Sequence, residues 1–326
     1  MLRAKITGTG SYAPEKLLTN KDLERLVDTT DEWIFERTGI RERHMAAKNQ
    51  TTSDLAVEAA RHALEAAGLE AKDIDLIIVG TCTPDMFLPS TACMVQHKLN
   101  AKNAAAFDLN AACSGFLYGL SVAGSYVSSG VYRKVLVIGA ETLTRFTDWQ
   151  DRSTCVLFGD GAGAVVLEPT KSSRAILYTS IKSDAQYWDY IQIPGGAARQ
   201  PASRAVVDKR SNTIRMKGNE TFKVAVKTLE ALVVETLEKC NLKPSQLSLL
   251  IPHQANLRII QATAKRLGLP MDKVMLNLER YGNTSAASIP IALDEAVRTG
   301  RVRKGDYVLL EAFGAGLTWA SALLKW

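Results

Sequence analysis

The sequence predicts an α/β protein built from two similar halves. Stretches with helical periodicity alternate with short runs rich in β-branched residues, which is typical of parallel strands covered by helices on both faces. The order of these stretches repeats once along the chain. The length of 326 residues also exceeds what a single hydrophobic core usually supports, so two units fit the chain better than one.

The first clear helix and strand lie between residues 53 and 81. The segment SDLAVEAARHALEAAGL (53–69) has apolar residues at helical spacing, and DIDLIIVGT (73–81) has the pattern of a buried strand. Similar strand patterns follow at 134–140 and 306–312. The segment 182–217 contains Pro-Gly-Gly and little periodicity, so it predicts a long covering loop that could act as a lid.

Three pairs of segments show the repeat. The matched positions are Gly80 with His253, 134–140 with 306–312, and Gly130 with Gly300. Their separations are 173, 172 and 170 residues. Counting through the last pair places Cys113 opposite Asn283. We therefore expect a duplicated α/β unit with halves at residues 1–170 and 171–326, whose functional groups gather at the carboxyl ends of the strands.

The composition argues against several classes of function. The chain has 40 Lys and Arg against 34 Asp and Glu, and this net charge of +6 suits an acidic partner without indicating nucleic acid. Five cysteines without Cys-x-x-Cys spacing argue against a disulfide framework or a metal site. The sequence shows neither a signal-peptide pattern nor an apolar run of the ~18 residues that span a membrane. We therefore expect a cytoplasmic protein with no membrane partner.

Cys113 is the candidate nucleophile. It follows the strand pattern AAAFDLN and precedes the helical pattern GFLYGLSVAGSYV, so its sulfur should lie at a helix N-terminus. The free N–H groups and the positive end of the helix dipole stabilise a thiolate and lower the thiol pKa. The alternative role is a small buried side chain, which is the usual role of free cysteines. Cys93, Cys155 and Cys240 fit that role, and Cys82, at a strand end, is the remaining competitor.

His253 and Asn283 are the candidate partners of Cys113. His253 follows LSLLIP at a strand end in the second half, where a duplicated fold would direct it towards Cys113. Asn283 is equally suited to cap a helix. The other histidines fit structural roles, and these are His44, His62 and His97.

Three glycine-rich segments have different contexts. FGAG (313–316) follows a strand, and such a turn can direct a backbone N–H at a developing oxyanion, although an ordinary turn is an equal alternative. GTGSYA (8–13) is followed by Pro14 and is interpreted as a strand-end turn. GDGAG (159–163) precedes a strand, so neither of these two has the context of a nucleotide-binding loop.

Several motifs together resemble one known family. They are GTGSYAP, DEWIFERTGIRERH, NAACSGF, DRSTCVLFGDGAGA, GNETFKVAV, PHQANLRI, YGNTSAAS and LLEAFGAG. In this order and spacing they resemble β-ketoacyl-acyl-carrier-protein synthase III, the condensing enzyme that initiates bacterial type II fatty acid synthesis. The resemblance runs nearly end to end. It implies a thiolase-like fold with five αβαβα layers and a reaction of CoA thioesters that needs no cofactor.

The resemblance also implies a Cys-His-Asn catalytic set at Cys113, His253 and Asn283. Cys113 would take an acetyl or other short acyl group from CoA. His253 and Asn283 would hold the carbonyl of a malonyl group on acyl carrier protein while carbon dioxide leaves. The backbone N–H groups of Cys113 and Ala315 would hold the oxyanion, and the product would be acetoacetyl carrier protein.

Binding residues follow from the same resemblance. The implied CoA contacts are Thr29, Trp33, Arg37, Arg152 and Asn219. The implied acyl pocket is lined by Phe87, Leu143, Phe158 and Phe313. The implied docking surface for acyl carrier protein consists of Lys223, Arg258, Lys265 and Arg266. The last three stand on one face of a helical segment, for which a solvated surface is the alternative. Members of the family form homodimers, in which the residue at Phe87 reaches the partner's acyl pocket.

Two positions depart from the family pattern. Ala315 replaces the usual middle glycine of its turn, and Ala320 follows Trp319 where glycine is common. The Ala315 methyl group leaves the preferred primer length open. Two other functions also remain open: a polyketide- or quinolone-type condensing enzyme with other primers, and a CoA- or carrier-binding protein without turnover. The identity of the primer and the acylation of Cys113 distinguish them.

Overall fold

The computed structural model describes residues 2–326 and is organised around two β-sheets. In this range the strands are β1 (Arg3–Tyr12), β2 (Lys16–Thr19), β3 (Glu42–Met45), β4 (Leu76–Gly80), β5 (Ala105–Leu109), β6 (Val135–Thr142), β7 (Asp160–Thr170), β8 (Ile176–Ser183), β9 (Ile191–Gln192), β10 (Arg215–Met216), β11 (Leu249–Pro252), β12 (Tyr307–Gly314) and β13 (Thr318–Lys325). The helices are α1 (Asn20–Leu23), α2 (Asp31–Thr38), α3 (Thr52–Ala67), α4 (Thr91–Leu99), α5 (Gly115–Ser129), α6 (Arg152–Cys155), α7 (Arg204–Asp208), α8 (Gly218–Lys239), α9 (Leu257–Arg266), α10 (Leu278–Tyr281) and α11 (Ser288–Arg298).

Local sequence signals start and end the outer helices. Before α3, the Asp54 carboxylate accepts a hydrogen bond from the Thr51 N–H at 2.7 Å, and the helix ends at Gly68 with a φ of 66°. α4 begins after Ser90, whose hydroxyl caps the first turn, and it ends at Asn100 with a φ of 58°. Glycine and asparagine tolerate this left-handed conformation, so the ends of both helices follow from the sequence.

The two large sheets share one strand order. The first runs β5-β4-β6-β7-β1, with β4 parallel to β5 and β6, and with β7 antiparallel to β6 and β1. The second runs β11-β12-β13-β8, with β11 parallel to β12 and the remaining pairs antiparallel. In the second sheet, a single parallel bridge between Leu250 of β11 and Val274 takes the place that β5 has beside β4 in the first sheet. The predicted α/β class and its internal repeat are confirmed.

Alternating side chains of each sheet pack into different helix layers. In β6, Ile138 packs with α3 and α4, whereas Val137 packs with α5 and α11. In β12, Leu310 faces the same central helices, whereas Leu309 packs with α8 and α9. The result is the five-layered αβαβα arrangement that the resemblance implied. Strands of the first large sheet come no later in the chain than β7, and those of the second begin with β8. The assignment of residues 1–170 and 171–326 to separate domains stays a prediction.

The two central helices are equivalent at an offset of 173 positions. α5 begins at Gly115 and α11 begins at Ser288, each after one 3-10 turn. The first residue of each turn has a positive φ, which is 45° at Ala112 and 49° at Ser285. Such values are rare for residues other than glycine, so their recurrence fixes the register of the repeat.

This register corrects one sequence prediction. Cys113 is equivalent to Ala286, and Asn283 is equivalent to Asn110, so the pairing of Cys113 with Asn283 is wrong. That pairing was counted from the glycines that follow the two helices. Because α5 has 15 residues and α11 has 11, those glycines are not equivalent.

The glycines of 8–13 and 159–163 lie mostly inside strands. GTGSYA falls largely in β1 and GDGAG largely in β7. A Cβ atom on Gly10 would lie 2.3 Å from the Ala63 nitrogen in α3, and one on Gly163 would lie 2.7 Å from the Ile291 nitrogen in α11. The interpretation of 8–13 as a strand-end turn is therefore wrong. These glycines let helices approach the sheet closely.

Within residues 2–326, no helix combines the length and the apolar character that crossing a lipid bilayer requires.

β12 buries a carboxyl group that has no hydrogen-bond partner among residues 2–326. Glu311 is 1% exposed, and both of its carboxyl oxygens lack a donor. It shares one face of β12 with Leu309 and Phe313, which pack towards α8 and α9. Burial raises the pKa of Glu311 to about 8, so the folded protein holds this carboxyl mainly protonated at pH 7.

Glu311→Gln should stabilise the protein, and more so at pH 8 than at pH 5. An unfolded chain releases the Glu311 proton near the ordinary pKa of 4.5, whereas the folded chain keeps it up to about pH 8. The folded state binds more protons in this window, so stability falls as the pH rises through it. The neutral amide removes that penalty, which is at most a few kcal/mol. Thermal unfolding from pH 5 to 8 measures the effect. Exposed Glu65→Gln is the control, and a stability difference that does not change with pH would contradict the assignment.

Candidate active site

A cavity of about 600 Å³ lies where strands of both halves end. Its wall includes Cys82 after β4, Cys113 after β5, Leu143 after β6 and Ala315 after β12. Ser285, from the turn before α11, completes this part of the wall. Groups from both halves therefore meet at one site, as expected for the carboxyl ends of the strands in α/β sheets.

The N-termini of the two central helices meet beside Cys113. Cys113 is the middle residue of the 3-10 turn before α5, which agrees with the expected helix start. The corresponding turn, Ser285–Ala287, packs against it. A Cβ atom on Gly139 would lie 2.1 Å from the carbonyl oxygen of Ala286, so only glycine fits beneath this second turn. The positive ends of two helix dipoles thus converge on the sulfur.

The β12–β13 hairpin holds a second backbone segment against Cys113. A Cβ atom on Gly314 would lie 2.7 Å from the Cys113 nitrogen, which shows how closely the two backbones approach. The Thr318 hydroxyl lies 2.9 Å from the Ala111 carbonyl and 3.1 Å from the Ala315 carbonyl. It ties the turn containing Ala315 to the turn containing Cys113. The backbone N–H groups of Cys113 and Ala315 therefore lie on adjoining segments at one cavity. This arrangement suits the binding of an oxyanion.

The Cys113 thiol differs from the sequence expectation of a lowered pKa. Burial raises its pKa to about 11, the nearby Ser285 hydroxyl acts in the opposite direction, and the Glu141 carboxyl raises it further. The resting group at pH 7 is therefore the thiol. The helix N-terminus remains able to stabilise the thiolate as it forms during attack on a substrate.

His253 is a neutral imidazole at this site. It follows β11, is 8% exposed, and its backbone N–H donates to the Glu311 carbonyl at 2.8 Å. Burial lowers the pKa of His253 to about 4, so the ring carries no charge near pH 7. Its Nδ1 lies 2.6 Å from the Ser288 hydroxyl oxygen at the start of α11. Nε2 is left as the nitrogen that can face a substrate.

Asn283 both shapes the turn before α11 and offers a donor. Its Oδ1 accepts a hydrogen bond from the Ser285 N–H at 2.9 Å, as Asn110 Oδ1 does from the Ala112 N–H at 3.2 Å in the first half. Asn283 is 7% exposed, and its Nδ2 remains available as a donor. Asn283 lies before the turn that packs on Cys113, and Ser288, the hydrogen-bond partner of His253, lies after that turn. This turn therefore links Cys113 to Asn283 and to the partner of His253, although neither Asn283 nor His253 is among the residues that line the cavity.

Family models match most of the second half of the chain and the region around Cys113. The model described as 3-oxoacyl-[acyl-carrier-protein (ACP)] synthase III matches residues 107–185, and its C-terminal counterpart matches residues 237–326. A protein from Caldanaerobacter subterraneus subsp. tengcongensis, named beta-ketoacyl-[acyl-carrier-protein] synthase III, is 57% identical over 325 residues, covering 100% of this chain and 98% of that relative. The chain belongs to the β-ketoacyl-acyl-carrier-protein synthase III family.

Solved structures agree with this assignment. The crystal structure of 3-oxoacyl-[acyl-carrier-protein] synthase III from Aquifex aeolicus VF5 has 50% identity and a TM-score of 0.92, covering 99% of this chain and 100% of that one. A priming β-ketosynthase of the R1128 polyketide pathway has 38% identity and the same TM-score, covering 99% of this chain and 96% of that one. As a member of this family, the chain is a thiolase-fold condensing acyltransferase of fatty acid biosynthesis.

Three of the five residues expected at CoA are gathered in this synthase. The guanidinium carbons of Arg37 and Arg152 lie 4.6 and 4.8 Å from the ring centre of Trp33. Arg152 also donates to the Asp28 carbonyl at 2.7 Å, which brings it beside Thr29. Trp33 is partly exposed and contacts the guanidinium groups of both arginines, so the three side chains form one surface cluster.

Asn219 is placed differently from those residues. It is exposed in the first turn of α8, whereas Trp33 lies on α2. Its assignment to CoA stays a prediction.

Three of the four residues expected in the acyl pocket line the cavity, namely Phe87, Leu143 and Phe158. Phe313 does not, because it packs with Leu229 and Leu317 on the α8 side of β12. Its assignment to the acyl pocket is therefore corrected. The alternation of side chains along β12 directs Phe313 away from the central layer.

The segment expected to form a lid walls the cavity from the second half. β9, β10 and α7 lie within it, and Ile191, Ile193 and Ile214 line the cavity together with Gly195 and Gly196. Its closing motion stays a prediction.

All four residues expected to dock acyl carrier protein are exposed. Arg258, Lys265 and Arg266 lie on α9, and Lys223 lies on the adjacent α8. Arg266 forms an ion pair with Glu230 of α8. The four side chains therefore belong to the surface of one helix pair.

Sequence reasoning missed a buried polar group near Cys113. Glu141 is 0% exposed and accepts hydrogen bonds from the Thr83 hydroxyl at 2.6 Å and from the Cys82 N–H at 3.1 Å. The Cys82 sulfur also donates to it at 3.3 Å, and burial raises the pKa of that thiol. The Cys82 sulfur is therefore bound to a buried carboxyl group, whereas the Cys113 sulfur lies at the start of a helix, which makes Cys82 the weaker candidate.

The remaining histidines have structural contacts. His44 stacks on Tyr281 at 5.3 Å, and His62 Nδ1 lies 2.9 Å from the Ser11 carbonyl. His97 lies in the last turn of α4.

Proposed function

We propose that this synthase transfers a short acyl group from CoA to Cys113 and condenses it with a malonyl group on acyl carrier protein. One observation carries the proposal: the Cys113 thiol lines a cavity at two converging helix N-termini, beside the turn that positions Asn283 and the partner of His253. The proposed reactants are the two thioesters alone, with no cofactor.

Acylation begins when the Cys113 sulfur attacks the thioester carbonyl of the acyl-CoA. The carbonyl oxygen becomes an oxyanion, which the backbone N–H groups of Cys113 and Ala315 hold. The carbon–sulfur bond to CoA then breaks. CoA leaves as a thiol, and the proton lost by Cys113 balances the one gained by CoA. The helix N-terminus supplies the field that favours the transient thiolate.

Condensation follows when a malonyl thioester occupies the same site. His253 and Asn283 donate hydrogen bonds to its thioester carbonyl, so the electrons released as carbon dioxide leaves are held on that oxygen as an enolate. The enolate carbon attacks the acyl group on Cys113. The carbon–carbon bond forms, the cysteine sulfur departs and regains a proton, and an acetoacetyl thioester results when the primer is acetyl.

The cluster around Trp33 is proposed to hold the adenine end of CoA. A planar tryptophan flanked by two guanidinium groups can stack on a base, and the same arginines can pair with phosphate. Thr29, Trp33, Arg37 and Arg152 are the proposed contacts, and Asn219 is added by resemblance alone.

Incubation with acetyl-CoA should add one acetyl group, about 42 Da by its atomic composition, to the intact protein and place it on Cys113. Cys113→Ser should remove the modification and abolish condensation with malonyl carrier protein. Cys82→Ser is the matched control, because Cys82 lines the same cavity, and it should still gain the acetyl group. Mass spectrometry of the whole chain and of its peptides measures both.

Acetylation of the Cys113→Ser variant at Cys82, or no acetylation of the unaltered protein, would refute the assignment. The second result would favour a binding protein without turnover. The same assay with acyl-CoA from acetyl to decanoyl identifies the primer. We expect acetyl and other short groups to react fastest, and a preference for long groups would favour the polyketide-type alternative.

The basic surface of α8 and α9 is proposed to dock acyl carrier protein, which is acidic. Arg258 lies 5.9 Å from the Phe222 ring, next to Lys223, so positive charge and an apolar side chain adjoin there. Complementary charge speeds association and fixes orientation.

Arg258→Glu should raise the KM for malonyl carrier protein roughly tenfold and leave the kinetics with acetyl-CoA nearly unchanged. The control is Lys72→Glu, which reverses an exposed charge just before β4, at the end of the first sheet opposite to the cavity. This variant should alter the kinetics with neither substrate. Steady-state kinetics with each substrate varied in turn measures the effect. Equal losses for both substrates would place Arg258 outside the docking surface.

A homodimer is proposed from an exposed apolar segment and an open sheet edge. Met86, Phe87 and Leu88 are 45, 76 and 86% exposed, and β5 ends the first sheet without a further neighbour among residues 2–326. An exposed apolar cluster of this kind marks an interface between proteins. A second copy of the chain along β5 would cover both features.

Sedimentation equilibrium should give twice the chain mass of 35.5 kDa for the unaltered protein. Leu88→Asp should shift it towards the monomer, because a charge in an apolar interface is costly. Leu26→Asp, at another exposed leucine, is the control and should leave the mass unchanged. A monomeric mass for the unaltered protein, or a Leu88→Asp variant that stays dimeric, would count against the interface.

A further inference from the structure

The His253 ring has one partner among residues 2–326, and it is a side chain the proposed mechanism does not yet use. His253 Nδ1 lies 2.6 Å from the hydroxyl oxygen of Ser288, with His253 8% and Ser288 2% exposed. A short hydrogen bond between two buried groups is strongly oriented, because no water competes for either partner.

Among residues 2–326, the Ser288 hydroxyl has one acceptor within hydrogen-bond distance, which is Nδ1 of His253. The Gln254 backbone N–H donates to the Ser288 hydroxyl oxygen at 3.4 Å and occupies one of its two lone pairs. A hydroxyl has one hydrogen, and the nearest remaining acceptor is Nδ1 of His253. If Ser288 donates to Nδ1, the single proton of a neutral imidazole must be on Nε2.

We propose that Ser288 is a positioning residue that fixes the neutral, Nε2-protonated form of His253. This form can donate a hydrogen bond from Nε2 to the thioester carbonyl while the malonyl group loses carbon dioxide. The opposite tautomer would present a lone pair to that carbonyl and repel the developing enolate oxygen. The proposal rests on the function given above and assigns the residue that prepares one of its donors.

The internal repeat supports this role independently. At the offset of 173 positions, His253 is equivalent to Gly80 and Ser288 is equivalent to Gly115. Those two glycines are also in contact, since a Cβ atom on Gly80 would lie 2.7 Å from the Gly115 carbonyl carbon. The fold therefore places these two positions together in both halves. Only the second half fills them with side chains, and it fills both with groups that hydrogen-bond to each other.

The placement of Ser288 is rigid. It is the first residue of α11, directly after the turn that packs over Gly139. The backbone of His253 is fixed by its N–H bond to the Glu311 carbonyl in β12. The hydroxyl and the ring therefore come from two separately anchored segments. Loss of the hydroxyl should free the ring without moving either backbone.

Nitrogen-15 NMR of histidine-labelled protein tests the proposal directly. In the unaltered protein, His253 should show a protonated Nε2 and an unprotonated Nδ1 at pH 7, and His253→Ala identifies its signals among the four histidines. Ser288→Ala should give a mixture of both tautomers. Ser288→Thr keeps the hydroxyl and should restore the single form.

Kinetics of the separate half-reactions provides the second readout. Ser288→Ala should lower kcat for malonyl decarboxylation roughly tenfold or more with little change in KM. Acylation of Cys113 by acetyl-CoA should be unchanged, which also reports that the variant is folded. Ser288→Thr should recover most of the lost rate.

A single Nε2-protonated signal in Ser288→Ala together with normal decarboxylation would overturn the proposal. So would an unaltered protein whose His253 carries its proton on Nδ1, or an equal loss of acylation and decarboxylation in Ser288→Ala. If the unaltered protein fails to decarboxylate a malonyl thioester, the proposed function is at fault, whereas the NMR result still decides the role of Ser288.

Discussion

The site depends on the close meeting of two helix N-termini between two sheets. α5 and α11 begin at turns that touch each other, and this contact requires residues without bulky side chains at Gly115, Gly139 and Ala286. A methyl group at Gly139 would overlap the backbone of the second turn. Close packing there fixes the distance between groups from different halves. The catalytic geometry is thus a packing property of the central layer.

The electrostatics of the site follow from the same burial. Desolvation raises the pKa of the Cys113 thiol to about 11 and lowers that of His253 to about 4, so both are neutral at pH 7. A thiolate–imidazolium pair is therefore not the resting state. In the proposed mechanism, the positive helix ends act instead on charge that appears during the reaction, first on sulfur and then on the carbonyl oxygens. A neutral resting site also avoids the large cost of burying permanent charges.

Patterns that reflect local chemistry were predictable from the sequence, whereas those set by tertiary packing were not. Alternating helix and strand patterns gave the α/β class, and the motif around Cys113 gave its position at a helix start. The register of the repeat was missed by three residues because the length of α11 is not visible from a terminal glycine. The outward direction of Phe313 and the raised pKa of Cys113 depend on neighbours distant in sequence. Ser285 and Ser288 stand within YGNTSAAS, and the correct repeat register would have drawn attention to both.

The two halves keep one backbone and divide the chemistry between them. The turn before α5 carries Cys113, the proposed nucleophile, and its counterpart before α11 carries alanine at that position. Conversely, the strand end that carries His253 in the second half carries Gly80 in the first, and glycine there leaves room for the nucleophile helix to pack. A second nucleophile would compete for the acyl group, and a second histidine would fill that room. Each turn packs closely only against small residues of the other turn. Placing both helix ends at one substrate therefore requires different side chains at equivalent positions of the two halves.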